Sequence, residues 1–159
     1  MSVETIDLRP GHNISRVIRG GWQLAGDHGP VDRAQAICDM EAFVDAGLFT
    51  FDCADIYTGV EEMIGDFIAD LRARRGASVA DRVCVHTKLV PDLTRLDDLR
   101  PDEVTAIVDR SLQRLKIDQL DLVQFFWWDL NIGNAVEALD VLKDLRKEGK
   151  IKNLGTTNW

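Results

Sequence analysis

The sequence alternates between short apolar runs and longer stretches whose apolar residues fall three and four apart. Residues 48–52, 82–89, 120–126 and 151–156 are compact apolar runs of strand length. Between them lie helical patterns. Asp32-x-x-Gln35 caps a first helix with Ile37, Met40, Phe43 and Val44 on one face, and Gly47 stops it. Thr58-x-x-Glu61 reads as a capping box opening a second helix, over 59–74, with Ile64, Phe67, Ile68 and Leu71 as its buried stripe. Pro101 suits the first turn of a third helix carrying Val104, Ile107, Val108, Leu112 and Leu115. Ala135, Leu139, Leu142 and Leu145 mark a fourth. Strands that alternate with helices through short connections build a parallel sheet covered by helices. Residues 17–22 supply one more strand at the start, and 5–16, with Pro10-Gly11, read as a hairpin before it. The segment 76–80 reads as a small polar loop and 91–98 as a longer acidic one. A doubly wound sheet and a (β/α)8 barrel share this pattern.

In parallel α/β folds, chemistry gathers at the carboxyl ends of strands. The run ending at Asp52 is followed by Tyr57, so a carboxylate and a phenol arrive at one sheet end. A phenol ordinarily keeps its proton to about pH 10. A nearby ammonium makes it a better acid, and a carboxylate can hold that ammonium in place. The next strand ends on such an ammonium, Lys88, in Thr87-Lys88-Leu89.

With Asp52-Cys53-Ala54-Asp55-Ile56-Tyr57 and Thr87-Lys88-Leu89 go two further matches. They are Asp121-Leu122-Val123-Gln124-Phe125-Phe126-Trp127 and Gly155-Thr156-Thr157-Asn158. In this order and on these elements, the four motifs make the chain resemble the aldo-keto reductase family. The resemblance runs from about Ile14 onwards and decides for the barrel. It implies parallel (β/α) units of a TIM-type (β/α)8 barrel with an N-terminal β-hairpin closing its bottom. A full barrel takes about 250 residues, so the 159 residues here are expected to form a single partial-barrel domain, about the first half. Its first and last strands would be open edges, and self-association or a separately supplied second half is the expected remedy.

The resemblance also implies roles. Tyr57 would be the proton donor in carbonyl reduction, Lys88 its activating partner, and Asp52 the carboxylate that pairs with Lys88. Gly21, Trp22, Asp52, Thr157 and Asn158 would bind the cofactor, NADP(H) by family expectation, with NAD(H) still open. Trp22, Tyr57, Phe126 and Trp127 would line the pocket for a small-molecule carbonyl substrate. Trp128 is a further pocket candidate, with packing at the barrel rim as its other reading. Phe126 stands where the family has a histidine that hydrogen-bonds the substrate carbonyl, and phenylalanine donates nothing. An alternative is therefore a non-catalytic relative, a pseudoenzyme or binding subunit. His86 shares a strand face with Lys88, about 6.6 Å deeper by strand rise, and reads as a packed barrel histidine; His12 and His28 fall in loops.

Charge bounds the partners. The net charge of −8 argues against nucleic acid and against an anionic membrane surface. No apolar stretch has the length of a bilayer span, and no signal-peptide pattern opens the chain. The odd set of Cys38, Cys53 and Cys84 has no Cys-x-x-Cys pair, which suits reduced thiols in a cytoplasmic protein. No cluster of His, Cys or carboxylates has metal-ligand spacing in the sequence, so no metal site is expected.

Overall fold

The computed structural model describes residues 3–26 and 29–157. A hairpin comes first: β1 (Thr5–Arg9) and β2 (His12–Ser15) pair antiparallel around Gly11, whose φ is +79°. Five strands then form one parallel sheet in chain order: β3 (Arg19–Gly20), β4 (Thr50–Asp52), β5 (Cys84–Leu89), β6 (Leu122–Phe125) and β7 (Leu154–Thr156). The helices between them are α1 (Arg33–Asp45), α2 (Val60–Arg75), the short α3 (Ala77–Ala80), α4 (Pro101–Leu115) and α5 (Ala135–Lys147). Strands that neighbour in sequence and in space, joined by helices, are the parallel β-α pattern the sequence implies. Among the described residues no helix is long and apolar enough to cross a membrane.

The two faces of the sheet differ. On β6, Val123 and Phe125 are buried under the helices, while Leu122 and Gln124 on the opposite face are only half-buried. The helix-facing row continues through Phe51, Val85 and Leu89 to Phe67, Leu71, Val108, Leu115, Leu142 and Leu145. Each large apolar side chain buried this way contributes about 1.5–3 kcal/mol. Where α2 crosses α4, Gly65 lets the backbones touch: a Cβ there would stand 2.1 Å from the Arg114 carbonyl oxygen.

Polar pins tie the hairpin to the sheet. Ser15 Oγ accepts from the backbone N–H groups of Phe49 and Thr50, and the Ser15 N–H donates to Thr50 Oγ1, each at 3.0 Å. The hairpin thus lies at the amino end of β4, opposite the end where Asp52 and Tyr57 emerge.

Several local expectations shift. The Asp32 cap holds, its carboxylate accepting from the Gln35 N–H. The Thr58 capping box does not form. Gly59 takes the N-cap position in the left-handed region at φ 75°, and Glu61 turns inward, fully buried, to accept from Thr87 Oγ1 at 2.7 Å and from Arg114 at 3.3 Å. The polar loop after α2 is instead the helical turn α3. The acidic loop carries a 3-10 turn over Leu93–Asp98, started by Asp92. The first barrel strand is shorter than its apolar run, because Val17 and Ile18 are exposed where the chain passes from hairpin to sheet.

Candidate active site

Register places the key side chains. Asp52, the last residue of β4, pairs with His86 on β5, and Lys88 pairs with Gln124 on β6. Residues two apart on a strand share a face, so Cys84, His86 and Lys88 form one row on the face away from the helices. Past β4 the backbone stays registered on β5, with Cys53 N–H donating to the His86 carbonyl and Asp55 N–H to that of Lys88. A turn closed by the Tyr57 N–H on the Ala54 carbonyl then brings Tyr57 over the end of β5.

Lys88 is the hub. Its ammonium donates to Asp52 Oδ1 at 2.7 Å and to the Cys53 carbonyl at 2.7 Å. Its side chain is only 13% exposed, against 29% for that of Asp52. A lysine has three N–H donors, so one remains beyond these two. Nζ lies 5.2 Å from the Tyr57 ring centroid, within the range of a cation–π contact. Among the described residues no hydrogen bond joins it to the Tyr57 hydroxyl. Gln124 secures the other Asp52 oxygen, donating to Oδ2 at 3.0 Å. Asp52 therefore has a fixed rotamer and presents a fixed charge to Lys88.

These groups border a cleft of about 290 Å³, lined among others by Asp52, Tyr57, Lys88, Phe126, Trp128 and Thr157. Phe126 meets Trp128 edge to face, with centroids 4.8 Å apart. The Trp128 indole N–H is used on the Pro91 carbonyl at 2.7 Å. Among the described residues, the side chains that can donate hydrogen bonds into the cleft are accordingly Tyr57, Lys88 and Thr157.

Other expected residues fall elsewhere. Trp127 is a correction: it is 6% exposed, stacks on Phe125, and donates its N–H to the Ile132 carbonyl at 3.0 Å. It belongs to the helix-facing row, because Phe126 and Trp127 are adjacent on an extended chain and point to opposite faces. Trp128, the further candidate, takes the cleft position. Trp22 is half-exposed on a 3-10 turn over Trp22–Ala25 and does not line the cleft. Gly21 is needed by the protein's own packing: a Cβ there would lie 2.8 Å from Val60 Cγ1 and 2.9 Å from the Asp52 carbonyl oxygen. Asn158 and His28 lie outside the described residues.

Gln124 was not expected in the site, although it shares the period-two face of Phe126 and so was within reach of the sequence. A contact deeper in the sheet was also missed. His12, on the hairpin, and His86, on β5, are both buried, with Nε2 atoms 3.2 Å apart. Burial lowers the pKa of both rings, that of His86 to about 4.

The profile described as the aldo/keto reductase family matches residues 16–159. The chain belongs to the aldo/keto reductase family. It is 31% identical to the 6-dehydroglucose reductase of Novosphingobium aromaticivorans, over 94% of this chain and 50% of that protein. It is also 31% identical to the methylglyoxal reductase DkgA of Escherichia coli O157:H7, over 97% of this chain and 49% of that one. The chain thus spans about half the length of the curated relatives it matches. Among solved structures, an aldo-keto reductase from Klebsiella pneumoniae in complex with NADPH superposes with a TM-score of 0.75 at 25% identity, covering all of this chain and 51% of its own. A Bombyx mori aldo-keto reductase in complex with NADP shares the fold at TM-score 0.76 and 21% identity, over 98% of this chain and 50% of that one. The family uses NAD(P)H, and the parallel sheet with its helices is the corresponding part of the family barrel.

Proposed function

We propose that this chain carries the catalytic face of an NAD(P)H-dependent aldehyde or ketone reductase. The observation that carries the reading is the Asp52–Lys88 pair beside Tyr57 at the carboxyl end of the sheet. The donor set suits a nicotinamide and a small carbonyl. A fixed cation, a phenol and a threonine hydroxyl border the cleft, and two aromatic rings supply an apolar wall. When bound, the reduced nicotinamide supplies the hydride.

Tyr57 is the proton donor in this reading. As charge grows on the carbonyl oxygen, its O–H hands over the proton, and the Lys88 ammonium stabilises the phenolate left behind. Asp52 orients Lys88 and keeps it from swinging into solvent, while Gln124 holds Asp52. Phe126 and Trp128 exclude water from one side and position the apolar part of the substrate. Thr157 and Asn158 would bind the carboxamide, and Trp22 would reach the substrate from its turn. The Phe126 ring donates no hydrogen bond, so the oxygen has no donor from the end of β6 and Tyr57 is its principal one. The same reading takes the protein to be cytoplasmic, a single partial-barrel domain that is completed by self-association or by a second half.

The test is oxidation of NADPH, and of NADH, with a panel of aldehydes and ketones for the wild type, Tyr57→Phe and Lys88→Met. Both variants should lose at least a hundredfold in kcat with little change in nucleotide affinity. Turnover that survives both substitutions would remove Tyr57 and Lys88 from the chemistry.

A further inference from the structure

A second constellation sits deeper in the sheet, on the amino side of the cleft, with His86 in register beside Asp52 and two residues before Lys88. His12 comes from the hairpin, and Cys84 and His86 come from the inward row of β5. His12 and His86 are buried and Cys84 is 9% exposed, and one ligand atom from each lies within 4.8 Å of the others. We propose that His12, Cys84 and His86 form a binding site for a borderline-soft divalent cation of the Zn²⁺ class, pinning the hairpin to the barrel wall.

The spacing of the histidine pair suits such an ion. Zn²⁺ sits 2.0–2.1 Å from imidazole nitrogen and about 2.3 Å from thiolate sulfur. A tetrahedral ion therefore holds two imidazole nitrogens roughly 3.3 Å apart, and a nitrogen and a sulfur roughly 3.6 Å apart. The two Nε2 atoms already stand at 3.2 Å. Without an ion, one ring must donate its Nε2 proton to the other, so the rings have the right separation for a metal and a single shared proton between them. One nitrogen-rich, one-sulfur set is what zinc and its neighbours select over magnesium or calcium, which favour oxygen.

Charge is provided for in part. Asp121 acts electrostatically on both His12 and Cys84, and its carboxylate is oriented by the Val85 N–H at 2.9 Å. The ion replaces the Cys84 proton, and the resulting thiolate offsets one of its two charges; Asp121 favours the protonated thiol, while Lys152 favours the thiolate. Binding balances without redox change. The Cys84 S–H gives its proton to the buffer. The ring that carried its proton on Nε2 moves it to Nδ1, and both Nε2 lone pairs go to the metal. Three protein ligands leave a fourth position for water.

The experiment begins with metal-free protein under a non-thiol reductant. Co²⁺ is titrated as the optical probe and Zn²⁺ as competitor, with thermal unfolding followed alongside. The expected result is one equivalent of tetrahedral Co²⁺ with a thiolate charge-transfer band, displaced by Zn²⁺, and a raised Tm. Cys84→Ser should abolish the charge-transfer band, and His12→Gln and His86→Gln should each weaken Zn²⁺ binding tenfold or more. Cys38→Ser, at an exposed thiol, should change nothing. Far-UV circular dichroism separates loss of a ligand from loss of the fold, and His12→Gln, on the hairpin, is the variant least exposed to that ambiguity. Absence of the thiolate band, its survival in Cys84→Ser, its loss in Cys38→Ser, or unchanged affinity in a folded His12→Gln would each overturn the proposal.

Discussion

Replacing Asp55 by asparagine isolates the cost of one buried carboxyl. Asp55 follows β4, its side chain is 2% exposed, and Oδ1 accepts from the Val90 N–H at 3.0 Å. Burial pushes its pKa up to about 7, and the nearby Glu61 carboxylate acts in the same direction. The Val90 hydrogen bond and the Arg110 and Arg114 guanidinium groups pull the other way without cancelling the burial. An unfolded aspartate titrates near 3.9. The folded state therefore binds the extra proton between about pH 4 and pH 7, and stability falls as pH rises through that window. Three pKa units at 1.36 kcal/mol each make this roughly 4 kcal/mol, present below pH 4 and lost by pH 7. The asparagine side chain keeps an acceptor for Val90 and cannot ionise. The stability of Asp55→Asn minus that of the wild type should climb with pH across the window, by up to about 1.4 kcal/mol per unit, and level off above pH 7. Urea unfolding followed by tryptophan fluorescence, in steps from about pH 4 to pH 8, reads this difference directly, because every other titrating group is common to both proteins. Parallel stability curves would refute the reasoning, and so would a difference that shrinks as pH rises.

Gly65→Ala should drive a methyl into the Arg114 carbonyl oxygen and cost about 3 kcal/mol or more, seen as a lowered thermal midpoint; an unchanged midpoint would show that the α2–α4 crossing is not rigid. Phe126→His restores a donor to the cleft and should raise kcat for carbonyl reduction, in the direction of the 10²–10³-fold that one oxyanion donor is worth; lower turnover with intact cofactor affinity would show that the ring serves the substrate instead. Glu61→Ala should strip Thr87 and Arg114 of a buried partner and destabilise by about 3 kcal/mol, measured by denaturant unfolding, with a neutral result assigning the contact no weight. Because β3 and β7 end the sheet and its inner face is half-exposed, sedimentation of the purified chain at micromolar concentration should show association; a single monomeric species would contradict it.

The sequence carried the layers and the site to different depths. Helix α1 was legible because Asp32 and Gln35 act within one turn, and the strand cores because burial on the helix side imposes apolar runs. The Thr58 capping box failed because Glu61 had a better partner far along the chain, in Thr87, than the backbone beside it. The meeting of Asp52, Tyr57 and Lys88 at one sheet end was legible because strand ends fix their place. Trp127 was misread where alternation between faces should have ruled it out of the cleft. The His12–His86 contact joins positions 74 apart, and no local spacing announces it. Only the packing of the hairpin under β5 does.

That separation sets an order of events. The β1–β2 pairing is local, and β1 leaves all five of its residues exposed, so the hairpin can form in about 1–10 μs without waiting for the rest of the chain. Each parallel pairing is slower to nucleate: Arg19 must find Phe51 across the whole of α1, and the later strands repeat the search over similar lengths. The contacts of His12 with His86, and of Gln124 with Asp52 across 72 positions, close far longer loops and bear a larger loop-closure entropy. They are expected to form in the last stage of assembly, when three or more strands are already aligned; closure as early as the helices in stopped-flow refolding would contradict this order. An optical signal from the thiol and imidazoles beneath the hairpin would then act as a clock for completion of the wall, whereas far-UV circular dichroism would report the helices that formed before it.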